Sequence, residues 1–149
     1  MMLVIVLAGC DSFSDYAKKG RQSEASLQLK KMEKAVKTHF NMSSILPPTS
    51  TTPMPGPDGS ACGAAGGKIP MRPQSDWAAD PGWKAMEFYI DEPARFTYHW
   101  TSTGQGAQAA GVGLAVGDLD CDTTLVTYRL DIAIVDGNAQ ATFADPTPD

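Results

Sequence analysis

The sequence has no apolar run of the roughly 20 residues a bilayer-spanning helix needs. Its N-terminal run, MMLVIVLA (1–8), stops at Gly9-Cys10. Histidine is scarce: there are two, and neither His39 nor His99 stands beside a nucleophile or at a metal-ligand spacing. A P-loop, a glycine-rich dinucleotide fingerprint and a C-x-x-C pair are all missing. Asp91 and Glu92 are adjacent, so an extended chain points them to opposite sides and they form no acid–base pair. Hydrolytic, redox and nucleotide-dependent chemistry are left without support, and the expectation is a protein that is not an enzyme. Basic residues thin out after the first third, with five bases against thirteen acids in residues 42–149. An acidic pI near 4.9, with no basic groove interleaved with aromatics, argues against a nucleic-acid partner.

What is present fits one domain. A chain of 149 residues can bury a real core, and 42% hydrophobic content with net charge −5 is not the composition of a disordered chain.

The strongest pattern lies in residues 12–41. Ala25, Leu29, Met32, Val36 and Phe40 recur at the spacing of one helical face. Phe13, Ala17, Gly20 and Glu24 extend the stripe backwards, Ser12 or Ser14 offers a cap, and Ser43-Ser44 with Pro47-Pro48 ends the run. Thirty residues at about 1.5 Å each make a rod of about 45 Å, and its apolar stripe requires a cover. Residues 18–37 hold seven bases (Lys18, Lys19, Arg21, Lys30, Lys31, Lys34, Lys37) and two acids (Glu24, Glu33). A basic stalk on an acidic head suits an anionic membrane surface or head-to-stalk contact between copies; a solvated face with i,i+4 pairs such as Glu33–Lys37 explains it equally.

Residues 1–9 read as a signal-like apolar segment, and Leu7-Ala8-Gly9-Cys10 matches the bacterial lipobox. Lipidation of Cys10 would anchor the exported protein to a membrane, at about 0.8 kcal/mol per buried CH₂. With Cys10 so used, Cys62 and Cys121 remain to pair as a disulfide in an oxidising compartment. Closing a loop of about 60 residues contributes roughly 4 kcal/mol in the chain-entropy model.

The chain then divides into the anchor cysteine and helix (10–42) and a head (43–149) that opens with a connector, 43–76, rich in proline and glycine. Asp80-Pro81 predicts a capped short helix, and Trp77 and Trp83 are expected as core or loop-pinning aromatics rather than a ligand-stacking pair. Phe96, Tyr98 and Trp100 alternate with Thr97, His99 and Thr101 in a half-buried strand. Val112, Leu114 and Val116 mark a second strand, and Tyr128, Leu130, Ile132 and Ile134 a third. Asp136-Gly137 is a type I′ hairpin signal returning through Ala139–Ala144. Packing this meander on the helix gives an α+β domain with about four antiparallel strands.

Asp118, Asp120 and Asp122 place carboxylates at alternate positions, a pattern that suits Ca²⁺. An EF-hand loop would need glycine where Thr123 stands and glutamate where Arg129 stands, so the readings are a weak calcium turn assisted by Thr124 or a solvated acidic turn.

Tyr16-Ala17-Lys18-Lys19-Gly20-Arg21-Gln22-Ser23-Glu24-Ala25, followed by Leu27, Leu29, Met32, Ala35, Lys37-Thr38 and Phe40, resembles the exposed half of the first helix of type IV pilins, of the deltaproteobacterial and myxobacterial kind. Asp80-Pro81-x-Trp83-x-Ala85, Asp91-Glu92-Pro93 and Val116-Gly117-Asp118-Leu119-Asp120-Cys121-Asp122 continue the resemblance over most of residues 13–130. It implies a pilin-like head, partners among pilin-like or secretion-system proteins, and a homo-oligomer as one option. The prepilin peptidase site and the long apolar half-helix of that family have no counterpart here, so filament polymerisation is not implied. The alternative within the family is a pilus or pseudopilus subunit whose start lies further upstream.

Overall fold

The computed structural model describes residues 11–147, so Cys10 and the apolar segment 1–9 lie outside the described residues. A helix, α1 (Asp11–Ser43), leads into the connector; two short helices, α2 (Gln74–Ala78) and α3 (Pro81–Met86), follow. Four strands complete the chain: β1 (Thr97–Thr103), β2 (Ala110–Gly117), β3 (Val126–Val135) and β4 (Asn138–Thr147). They form one antiparallel sheet in the order β1-β2-β3-β4, so the α+β expectation holds. Among the described residues, no helix is long and apolar enough to cross a membrane.

The predicted helical stripe is the buried one. Ala25, Leu29, Met32 and Val36 are fully buried and Phe40 nearly so, together covering β2 and β3 with lesser contact to β4. Burying each of the larger side chains contributes about 2 kcal/mol before entropy is charged. The helix stops where Ser44 turns left-handed (φ 59°) and donates its N–H to Phe40 O at 2.7 Å. Gly20 at the front is exposed, and the side chains of Phe13 and Ala17 are outside what is described.

Strand β2 differs from the simplest reading of its sequence. Its buried face carries Gly111, Gly113, Ala115 and Gly117, while Val112 and Leu114 lie half-buried on the other side. The small residues make room for large neighbours. A Cβ on Gly111 would sit 2.2 Å from Trp100, one on Gly113 2.6 Å from Met32 Sδ, and one on Gly117 2.8 Å from Phe96. On β1 the alternation is as expected: Tyr98 and Trp100, with Phe96 just before the strand, are buried toward the helices, and His99 and Thr101 lie on the opposite face. Thr97 is buried as well, because the connector crosses above it and Pro57 O accepts its hydroxyl at 3.0 Å.

The connector is less irregular than its composition suggests. It runs along the outer edge of β1, with Ser50 N–H donating to Trp100 O and Met54 exchanging both backbone bonds with Tyr98. Ile69 exchanges the same pair with Ala94, and α2 occupies residues expected to be loop. These bonds satisfy backbone groups that a free loop would give to water, and they close one edge of the sheet.

Candidate functional site

Eight residues, 118–125, join β2 to β3 and carry most of the chemistry singled out from the sequence. Two of them, Cys121 (φ 63°) and Thr123 (φ 76°), are left-handed without being glycine. The Asp118 carboxylate makes that conformation tolerable. Its Oδ1 accepts the N–H of Cys121 at 2.7 Å and of Asp122 at 3.3 Å, and its Oδ2 accepts that of Thr123 at 2.9 Å. Asp122 Oδ1 accepts Thr124 N–H at 2.7 Å in the same way.

The turn is tied down from two sides. Cys121 is disulfide-bonded to Cys62 in the connector, 59 residues earlier. From the helix, the Arg21 guanidinium donates to Leu119 O. Next to it Glu24 accepts the Arg95 backbone N–H at 2.7 Å, and the Arg95 guanidinium lies 3.5 Å from the same carboxylate. A cavity of about 110 Å³, room for a few waters, is left between Arg21, Arg95, Asp118, the disulfide and the Gly66-Gly67 backbone. Each charged group lining it already has a partner within the protein.

The expected pairing of Cys62 with Cys121 is therefore present. Asp118, Asp120 and Asp122 are also brought together, each offering an oxygen within 4.8 Å of the others. The hydrogen bonds to Asp118 and Asp122 account for this clustering as turn chemistry. Asp118 also lies close to both cysteine sulfurs, but those are bonded to each other and are not ligands. Cys10, the expected lipidation site, is outside the described residues.

No family model matches this chain, and neither does any curated protein or solved structure.

Two other regions have the shape of sites. Trp77, Trp83, Phe88 and Tyr89 line a groove of about 510 Å³ rimmed by Gln74, Lys84 and Glu87. Its aromatic rings are occupied with one another: Trp77 meets Trp83 edge-on at 5.5 Å and Phe88 at 5.7 Å. Both indoles are buried, and Trp83 Nε1 donates to Thr52 O at 2.9 Å. They act as core and loop-pinning aromatics, with no open face for a ligand to stack on. The second region is the outward face of α1, where Lys19, Lys30 and Lys34 are exposed beside Tyr16 and Leu27. Of the two acids in this stretch, Glu33 forms the expected i,i+4 pair with Lys37 at 2.6 Å, while Glu24 turns toward Arg95 in the head.

His99 Nε2 is 2.7 Å from the Asp58 carboxylate on the outer sheet face, and His39 is half-buried on α1. Arg21 is the residue whose role the sequence reading missed. Counted there among the stalk's bases, it lies four residues before Ala25 and so on the buried stripe itself, which is the signal that finds it. For Arg95 no local pattern carries such a signal.

Proposed function

We propose that this chain is a non-enzymatic, pilin-like exported lipoprotein working through protein–protein contact at the cell envelope. It would serve a pilus or secretion machine as an accessory, or act as an adhesin-like module. The observation that carries the reading is how the helix meets the head. Helix α1 is described from Asp11 onward; Tyr16, Lys19 and Gly20 are exposed, and among the described side chains burial begins in earnest at Ala25. A lipid on Cys10 would thus place the membrane at the foot of a stalk whose upper part lies across an antiparallel meander. The disulfide from the post-helix connector to the turn before β3 supports an oxidising compartment and the pilin-like comparison. The outward Lys19, Lys30 and Lys34, spread along the helix, suit an anionic surface or an acidic partner.

A second reading, a small calcium-binding lipoprotein, is favoured by the convergence of Asp118, Asp120 and Asp122. Calcium that raises the melting temperature, with the rise lost in Asp120→Ala, would put that reading first.

Metabolic labelling with palmitate, in a bacterial host that processes lipoproteins, tests the main one. Label should enter the wild type and vanish in Cys10→Ala, with the variant moving from the membrane to the soluble fraction. Label that persists in Cys10→Ala, or wild type that fractionates without membrane, overturns it.

A further inference from the structure

The two edges of the sheet are unlike. The β1 edge is closed by the connector through backbone bonds at Ser50 and Met54, whereas among the described residues nothing pairs with the outer edge of β4. Natural sheets blunt open edges with charge, proline, bulges or shortness. Here Asn138–Ala144 (NAQATFA) holds no charge and no proline; such protection begins only at Asp145-Pro146, beside the register shift at Thr127/Arg129.

The hairpin fixes which backbone groups face outward. Asp136 (φ 50°) and Gly137 (φ 75°) form a two-residue turn with Val135 opposite Asn138. The pair flanking such a turn exchanges both of its hydrogen bonds, and bonded and non-bonded pairs then alternate along the ladder. Asn138, Gln140, Thr142 and Ala144 therefore spend their N–H and C=O groups on β3. Ala139, Ala141 and Phe143 direct theirs to the open edge. Their side chains lie on the helix side, where Ala139 is buried and Phe143 is 43% exposed.

We infer that this edge is a self-association surface, on which β4 of a second copy adds antiparallel with Ala141 opposite Ala141 of the other chain. That register alone gives a two-fold axis through an outward-facing residue at the middle of the uncharged run. It sets Ala139 opposite Phe143 in both halves, large side chain against small, and uses all three outward residues on each side, six backbone bonds in total. It also sets Gln140 against Thr142 on the far face and keeps Asp145 away from its own copy, opposite Gly137. A second copy is the occupant because this uncharged run meets its own copy in that register with small side chains against large and no like charges opposed, and the contact is isologous and closes. Asp145 falls near Asp136 of the other chain, so added salt should strengthen the contact rather than weaken it. The interface is small beside those of stable dimers, so the association is weak. None of this rests on the envelope reading, and it can hold or fail independently of it.

Sedimentation velocity of the full chain from micromolar to millimolar protein tests the inference, with two double variants at exposed positions. Gln140→Lys with Thr142→Lys sets like charges opposite each other twice and should weaken the dimer by about tenfold. Gln140→Glu with Thr142→Lys sets opposite charges there and should restore or exceed wild-type association. Ala141→Pro removes one outward N–H that β3 does not use, and should weaken the dimer without shifting the melting temperature by more than a few degrees. A wild type that stays monomeric to millimolar overturns the inference. So does a dimer indifferent to the lysine pair, one not restored by the glutamate–lysine pair, or one that salt dissociates as a helix-to-head charge contact would be.

Discussion

Asp80 is the residue on which most local order converges. Its Oδ1 accepts Gly82 N–H at 2.9 Å and caps α3, the role that Asp-Pro suggests from sequence. Its Oδ2 reaches back across the chain to Thr51 N–H, Thr51 Oγ1–H and Thr52 N–H at 2.7, 2.7 and 2.9 Å, which no local pattern announces. Burial alone would raise the pKa of this carboxyl; the bonds from Thr51, Gly82 and Thr52 outweigh it and hold the group below its ordinary 3.8. A carboxylate whose folded pKa is depressed adds stability that is complete above the unfolded value and is lost as pH falls through the folded one. Asp80→Asn should cost about 1–3 kcal/mol near neutral pH, since an amide oxygen cannot serve all these donors. Thermal melts at neutral pH and below the ordinary carboxylate value should show the gap between wild type and variant shrinking in acid. A gap that stays constant across that range would mean that the charge on Asp80 is not what holds the connector.

At the scale of elements, periodicity served where side chains carry the pattern and failed where their absence does. The stripe of α1, the alternation of β1 and β3 and the Asp136-Gly137 turn were all legible, because each is a local repeat of apolar side chains or a demanded backbone conformation. Strand β2 was found but its faces were not. Val112, Leu114 and Val116 draw the eye, while the face that meets α1 is defined by Gly111, Gly113, Ala115 and Gly117, and a missing side chain leaves no hydrophobic signal. The same strand offers a graded test. At Gly111 a methyl group would meet the Trp100 ring, which is buried and pinned by its Nε1 donating to Pro47 O at 3.1 Å. At Gly113 it would meet the thioether of Met32, which can turn aside. Gly111→Ala should therefore cost about 2–3 kcal/mol and Gly113→Ala distinctly less, read as a difference in urea midpoint at unchanged slope. Equal losses would mean that the indole moves as freely as the methionine.

Over the whole molecule, the disulfide was legible by elimination among three cysteines, whereas the bonds that dock the connector were not, because they join segments 25 to 50 residues apart through backbone atoms. The two kinds of fastening act on different states. Backbone pairing at Met54–Tyr98 and Ile69–Ala94 holds the folded connector whether or not the sulfurs are joined. The disulfide mainly restricts the unfolded chain, by up to about 4 kcal/mol for a closure of this length. Cys62→Ser with Cys121→Ser should therefore fold to the same secondary structure and unfold at a melting temperature lower by several degrees or more. The local change belongs at the 118–125 turn, where Asp118 and the Arg21–Leu119 bond are left to hold two left-handed residues alone, and hydrogen exchange should rise there first. The N–H groups at Met54 and Tyr98 should stay protected to nearly the same degree. Loss of protection along the whole connector would show instead that the sulfur bridge, and not the edge of the sheet, fixes how this head is closed.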